Sequence, residues 1–207
     1  MSSFDKRRIG QTGSTRICRR FDMKILALSG SLRSASINSA LLRAAARLAP
    51  PDMTVSIFDG LRALPLFNPD QEAECPNSVA DFRRAVSRSD ALLIASPEYA
   101  HGVTGTIKNA LDWLVGFEPF AFKLIAVLNT SSRAHHADAA LRETLQTMAA
   151  VIVEPASVTI PLLGSQLDEA GMIENASVAN AIVSSLTALH DALALPRATD
   201  APSFRMR

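Results

Sequence analysis

The chain has 207 residues, 48% of them hydrophobic, which fits one domain built around a sheet buried on both faces. No apolar run approaches the length of a membrane span. Two cysteines and four histidines show neither metal-ligand nor redox spacing, so no metal site is expected and a reducing, cytoplasmic setting fits. The formal charge of +1 is uneven: residues 1–22 carry six basic and two acidic side chains, and the remainder carries 15 basic and 18 acidic ones. The acidic body gives no reason to expect nucleic-acid binding.

Residues 1–22 lack apolar periodicity and the apolar stretch of a secretory signal, and read as a disordered basic extension. The domain proper is expected over 23–195, with a frayed tail over 196–207. Residues 23–28 form an apolar run that predicts a buried strand, and 37–48 predict a helix. Between them lie Ser29, Gly30, Ser31, Arg33, Ser34 and Ser36. A strand ending in hydroxyl residues before a helix N-terminus suits an anion, because the first helical N–H groups are unpaired and the helix dipole adds positive charge. Arg33 adds a guanidinium able to make paired, charge-assisted bonds to phosphate. The stretch lacks the lysine of a nucleotide-triphosphate loop. It also lacks the three glycines of the dinucleotide fingerprint. The plainer alternative is a Ser-rich turn that caps a helix.

Residues 53–58 alternate and predict a second strand, and the Pro-containing stretch 60–71 a long loop without regular structure. Asn77 is expected to cap a helix over 78–88, followed by a third strand over 91–96. A polar, Gly-containing loop, 97–105, ends that strand and leads into a helix from Thr106. Residues 122–128 predict a fourth strand, 129–136 its loop and 137–150 a helix. A fifth strand is expected to be broken around Pro155, with 161–171 irregular and a last helix over 175–195. Strands alternating with helices imply parallel pairing and right-handed crossovers, in the order 2-1-3-4-5. Loops 29–38, 97–105 and 129–136 then surround one ligand over the C-terminal strand ends, where open α/β sheets bind.

The motif Gly30-Ser-Leu-Arg33-x-x-Ser36-x-Asn38, followed by Pro97-Glu98-Tyr99 and Gly105-x-x-Lys108-Asn109-Ala-x-Asp112-Trp113, resembles the NADPH-dependent FMN reductase family. The resemblance covers residue 23 to about 164. It implies a flavodoxin-like three-layer α/β sandwich with a five-stranded parallel sheet. It implies FMN as cofactor, NADPH or NADH as donor, and ping-pong hydride transfer through the flavin N5 to a quinone, flavin, azo or metal-oxyanion acceptor. No side chain need act as acid or nucleophile, since the flavin carries the chemistry.

By the same resemblance Ser31, Arg33, Ser36, Ile37 and Asn38 hold the FMN phosphate. Asn38 can instead cap its own helix. Pro97, Glu98, Tyr99, Ala100, His101 and Gly102 run along the ring and ribityl chain, while Thr130 and Ser131 cover one face. Arg133 is suited to the 2′-phosphate of NADPH, or is simply a solvated charge. The pattern departs from the family at Ala100, where many relatives carry asparagine, and at Gly102 and Thr104, where many carry serine and proline. Glu98 could also pair with Lys108, and Lys108 with Asp112 at i,i+4. A homodimer or homotetramer is implied, with Phe67, Trp113 and Phe117 near the contact unless they are core. The competing reading is a flavodoxin-type electron carrier, against which the weakly acidic body argues.

Overall fold

The structure, a computed structural model, describes residues 22–195; the expectations for the basic extension and for the tail lie outside the described residues, Asp22 excepted. The chain runs β1 (Met23–Ser29), α1 (Ile37–Leu48), β2 (Met53–Ile57), α2 (Asn77–Arg88), β3 (Ala91–Ala95), β4 (Glu98–Tyr99), β5 (Gly102–Val103) and α3 (Gly105–Asp112). It continues with β6 (Leu124–Leu128), α4 (His135–Thr147), β7 (Val151–Ile152), α5 (Glu169–Glu174) and α6 (Ala176–Ala194). Five parallel strands form one sheet in the order β2-β1-β3-β6-β7, the flavodoxin-like order expected. The antiparallel β4-β5 hairpin stands apart from it.

Strand periodicity sorts the core into two layers. Ile25, Ala27, Leu93, Ala95, Ala126 and Leu128 pack with α1, α5 and α6 on one face. Their neighbours Leu26, Leu28, Leu92, Ile94, Ile125 and Val127 pack with α2, α3 and α4 on the other. Both faces are therefore covered, which explains why the central strands read as continuous apolar runs.

Several boundaries differ from the sequence expectation, each for a local reason. Pro76, not Asn77, sits at the N-cap of α2; its carbonyl accepts from the Val79 and Ala80 N–H groups, and Asn77 opens the helix. Thr104 caps α3 through its hydroxyl on the Ile107 N–H, so that helix begins at Gly105. Phe122 is left-handed at φ 60°, which delays β6 to Leu124. Ala149, also at φ 60°, follows the end of α4 at Thr147. The loop 60–71 contains two 3₁₀ turns, Asp59–Ala63 and Pro69–Gln71, the first burying Leu61 and the second capped by Asn68. The stretch 161–171 contains the start of α5, capped by Asp168. The fifth strand is broken as expected, by a 3₁₀ turn over Glu154–Ala156, after which Thr159 bridges Asn129.

Trp113 is fully buried, so it is core and not a subunit contact. Its indole N–H donates to the Pro65 carbonyl at 2.8 Å, and Asn109 Nδ2 donates to the same oxygen at 2.9 Å. Asn109 Oδ1 accepts from the Phe67 N–H at 2.8 Å, and the Phe67 ring meets Trp113 edge-on at 5.0 Å. Asn109 on α3 and Trp113 at its C-terminal cap thus pin the Pro-rich loop. Phe117 is half-buried beneath the Arg83 guanidinium, 5.5 Å from it.

Candidate active site

The site is assembled where β1 and β3 end side by side. The Gly30 N–H donates to the Ala95 carbonyl at 2.8 Å. A Cβ on Gly30 would stand 2.1 Å from Ser96 Oγ and 2.9 Å from Ile107 Cγ1. The absence of a side chain therefore lets the first and second loops start in contact. From there the first loop turns into α1, whose N-cap Ser36 accepts from the Ser39 N–H at 3.3 Å. Ser29 Oγ lies 2.7 Å from Ser39 Oγ and 3.3 Å from the Ser31 N–H that it accepts. Arg62, in the first 3₁₀ turn, donates to the Leu32 carbonyl at 3.3 Å and holds the outside of the loop.

The second loop is a tight hairpin. β4 and β5 pair Tyr99 with Gly102, leaving Ala100 and His101 as the two-residue turn. Both are left-handed, at φ 50° and 58°, the I′ arrangement that matches strand twist and favours asparagine or glycine. This accounts for the asparagine that the family pattern carries where this chain has Ala100. Glu98, its side chain 12% exposed, accepts from the Ala137 N–H at 2.8 Å through one oxygen and meets His101 Nδ1 at 3.1 Å through the other. Glu98 does not pair with Lys108, which instead reaches Asp112 at 2.5 Å. The bond from the Ala137 backbone, with smaller help from His101 and His136, holds the Glu98 carboxyl below the ordinary carboxylate range, against the opposing effect of desolvation.

The third loop is braced by its own side chains. Asn129 Oδ1 accepts from the Ser131 N–H at 2.9 Å, and its Nδ2 donates to the Ala134 carbonyl at 3.1 Å. Thr130, buried, donates to Asn38 Oδ1 at 3.2 Å. Asn38 therefore bonds across to the third loop rather than capping α1, whose cap is Ser36.

These three loops enclose an open cleft of about 310 Å³. Ser31, Arg33, Ser36, Ile37 and Asn38 line one end; Pro97, Glu98 and Tyr99 line a wall; Thr130 and Ser131 line the opposite side. Ala100, His101 and Gly102 do not line it, because the hairpin turn carries them away. Ser34 is also outside the lining, and Ser29 is committed to Ser39. Sequence reasoning passed over Ser96, Ala134 and Leu163, and the structure adds all three to the lining. Leu163 arrives because the Leu162 and Leu163 N–H groups both donate to the Thr130 carbonyl, at 2.9 and 3.3 Å. The apolar pair after Pro161 was the only available signal. Leu163 is 62% and Tyr99 55% exposed, so the mouth has an apolar rim.

The donor set fits a phosphate ester carrying a flat ring. Serine hydroxyls and the first turn of α1 converge with Arg33, which has no carboxylate partner among the described residues. Arg133, also a lining residue, has none either. The other walls offer Pro97 and the exposed apolar edges of Tyr99 and Leu163. No group of three or more His, Cys, Asp or Glu side chains among the described residues could hold a metal ion.

Comparison with known proteins identifies the family and the fold. NAD(P)H-dependent FMN reductase PA1204 of Pseudomonas aeruginosa is 39% identical over 137 residues, covering 65% of this chain and 74% of that protein. The quinone reductase of Escherichia coli K12 is 32% identical over 113 residues, covering 53% of this chain and 60% of that one. The 2-hydroxy-1,4-benzoquinone reductase of a Burkholderia species is 40% identical over 91 residues, covering 44% of this chain and 49% of that one. The chain thus spans about half the length of that relative. Among solved structures, the flavoenzyme NAD(P)H:(acceptor) oxidoreductase FerB of Paracoccus denitrificans superposes with a TM-score of 0.71 at 25% identity, over 82% of this chain and 98% of FerB. NADPH-dependent FMN reductases match residues 23–162, which run from β1 past β7 and take in all three loops, and the chain belongs to that family.

Proposed function

We propose that this protein is an NAD(P)H-dependent, FMN-containing oxidoreductase that reduces a small-molecule acceptor such as a quinone, a flavin, an azo compound or a metal oxyanion. The carrying observation is the convergence of Arg33, Ser31, Ser36 and the α1 N-terminus at one end of a cleft whose other walls are Pro97–Tyr99 and Thr130–Ser131. When bound, FMN would supply the redox chemistry, accepting hydride at N5 from the nicotinamide and giving two electrons to the acceptor. The residues of the chain bind and orient. Arg33 and the hydroxyls hold the phosphate by charge-assisted bonds. Backbone N–H groups after Pro97 suit the ring carbonyls, where they would favour negative charge. Tyr99 and Leu163 offer apolar surface at the open mouth, where donor and acceptor would alternate. Arg133, on the far side of the cleft from β1, offers a second cation for the 2′-phosphate that distinguishes NADPH from NADH.

Assembly as a homodimer or homotetramer belongs to the same reading. Leu66, at 83% exposure, and Val115, at 53%, flank the pair of half-buried Phe67 and buried Trp113 and are the apolar surface that a second copy would cover. Dependence on a nicotinamide nucleotide and the unpaired thiol of Cys75 suit the cytoplasm. No helix among the described residues is long and apolar enough to cross a membrane. The test is NADPH oxidation by the FMN-loaded protein with benzoquinone as acceptor. Steady turnover that requires both partners is expected; a flavin-loaded protein that never oxidises NADPH or NADH would overturn the reading.

A further inference from the structure

We propose that Glu98 is a positioning residue, whose carboxylate clamps the β4-β5 hairpin to the N-terminus of α4 and so fixes two walls of the cleft against each other, rather than binding the cofactor through its charge. The inference rests on the reading of the cleft as an FMN site.

The first observation concerns α4. Four other helices supply their own caps: Ser36 for α1, Thr104 for α3, Asp168 for α5 and Asn175 for α6. Ala134 occupies that position at α4 and has no side-chain oxygen to offer. An N-cap oxygen normally serves the N–H of the second or third helical residue. In α4 the third residue is Ala137, and its N–H donates to Glu98 Oε2 at 2.8 Å. Glu98 thus caps α4 from 39 residues away in sequence.

The second observation concerns the hairpin. Its turn, Ala100-His101, has two non-glycine residues in the left-handed region, where a Cβ is disfavoured. Something must hold it closed. Glu98 Oε1 meets His101 Nδ1 at 3.1 Å, bridging the turn from its base. The His101 ring in turn stands edge-on to His136 of α4 at 4.5 Å. Both carboxylate oxygens are thus engaged within the protein. Pro97, Glu98 and Tyr99 line one wall of the cleft, and Thr130, Ser131, Arg133 and Ala134, which lead into α4, line another. One side chain therefore joins the two.

The chemistry separates clamp from charge. Glutamine has the same reach: its Oε1 can accept from the Ala137 N–H while its amide donates to His101 Nδ1. Aspartate keeps the charge but is one methylene short of spanning both partners. The experiment measures FMN affinity by flavin fluorescence quenching in Glu98→Gln, Glu98→Asp and Glu98→Ala. It also follows amide hydrogen exchange at Ala137 in the apoproteins. The expected order is Gln near wild type, with Asp and Ala weakened about tenfold through misplaced walls. Ala137 protection should persist in Gln and fall in Ala. Glu98→Gln as damaged as Glu98→Ala in FMN affinity would overturn the proposal, because charge would then be acting directly. Unchanged Ala137 exchange in Glu98→Ala would overturn it as well. A wild-type protein that binds no FMN would refute the cofactor reading instead, and the exchange measurement would still decide whether the clamp exists.

Discussion

Replacing Gly30 by alanine tests the geometry from which the site is built. Gly30 is not in the left-handed region, so its requirement is space and not backbone conformation. An added methyl would lie 2.1 Å from Ser96 Oγ, 2.6 Å from Ser96 Cβ and 2.9 Å from Ile107 Cγ1. Rotating the Ser96 hydroxyl relieves only the first contact. The second is fixed to the end of β3 and the third to a core side chain on α3. Overpacking of this kind costs about 1–3 kcal/mol, and each kcal/mol lowers the melting temperature by about 2–4 °C in a domain of this size. The displacement would spread into both the 29–38 and 97–105 loops, so FMN binding should weaken together with stability. Ser96→Gly in the Gly30→Ala background removes two of the three close atoms and should recover part of the loss. Thermal and urea unfolding of the single and double variants measure this directly. A Gly30→Ala protein as stable as wild type, or no recovery on adding Ser96→Gly, would refute the close approach of the two strand ends.

Ala100→Gly should stabilise the protein by about 0.5–1 kcal/mol: the relief of about 1–2 kcal/mol of left-handed strain exceeds the added freedom of the unfolded chain. A melting temperature below wild type would contradict the I′ turn. Thr130→Val leaves the buried Asn38 oxygen without its donor and should cost about 1–3 kcal/mol in urea unfolding; a neutral result would mean that the two loops are not bonded. Glu98, with its carboxyl held below its ordinary value, binds fewer protons folded than unfolded near pH 4. Its contribution is present above the unfolded value and is lost as pH falls through the folded one. The stability advantage of wild type over Glu98→Gln should therefore shrink on acidification below about pH 4.5. An advantage that grew on acidification would reverse the assigned sign.

The sheet was legible because its strands are buried on both faces and announce themselves as apolar runs, as 91–95 does with every residue buried. The strand-loop-helix junctions were legible from residue type: Ser36 is a cap, and Arg33 is a cation suited to an anion, with no carboxylate partner among the described residues. Long-range bonds hid the rest. The start of α4 moved to His135 because a glutamate on another loop caps it, and no local pattern carries that information. Phe122 and Ala149 adopt left-handed backbone and are tied to each other by the Phe122 N–H donating to the Ala149 carbonyl at 2.8 Å, against the preference of their side chains. Trp113 looked equally suited to an interface or to the core; the Pro65 carbonyl that its indole needs decided for the core. Ala100 through Gly102 belong to the motif yet leave the cleft lining, because a hairpin turn cannot be told from a binding loop by composition.

The central claim is that loop 29–38 holds a terminal phosphate, and the comparison of FMN with riboflavin tests it most directly. The two ligands share the ring and ribityl chain and differ by the group that Arg33, Ser31 and Ser36 would grip. Titration of the apoprotein should give FMN affinity at least about tenfold tighter than riboflavin, since a charge-assisted bond contributes about 1.5–3 kcal/mol. Arg33→Ala should weaken FMN by about that amount and leave riboflavin unchanged. Equal affinity for the two ligands in wild type, or an Arg33→Ala protein that binds FMN undiminished, would contradict the account.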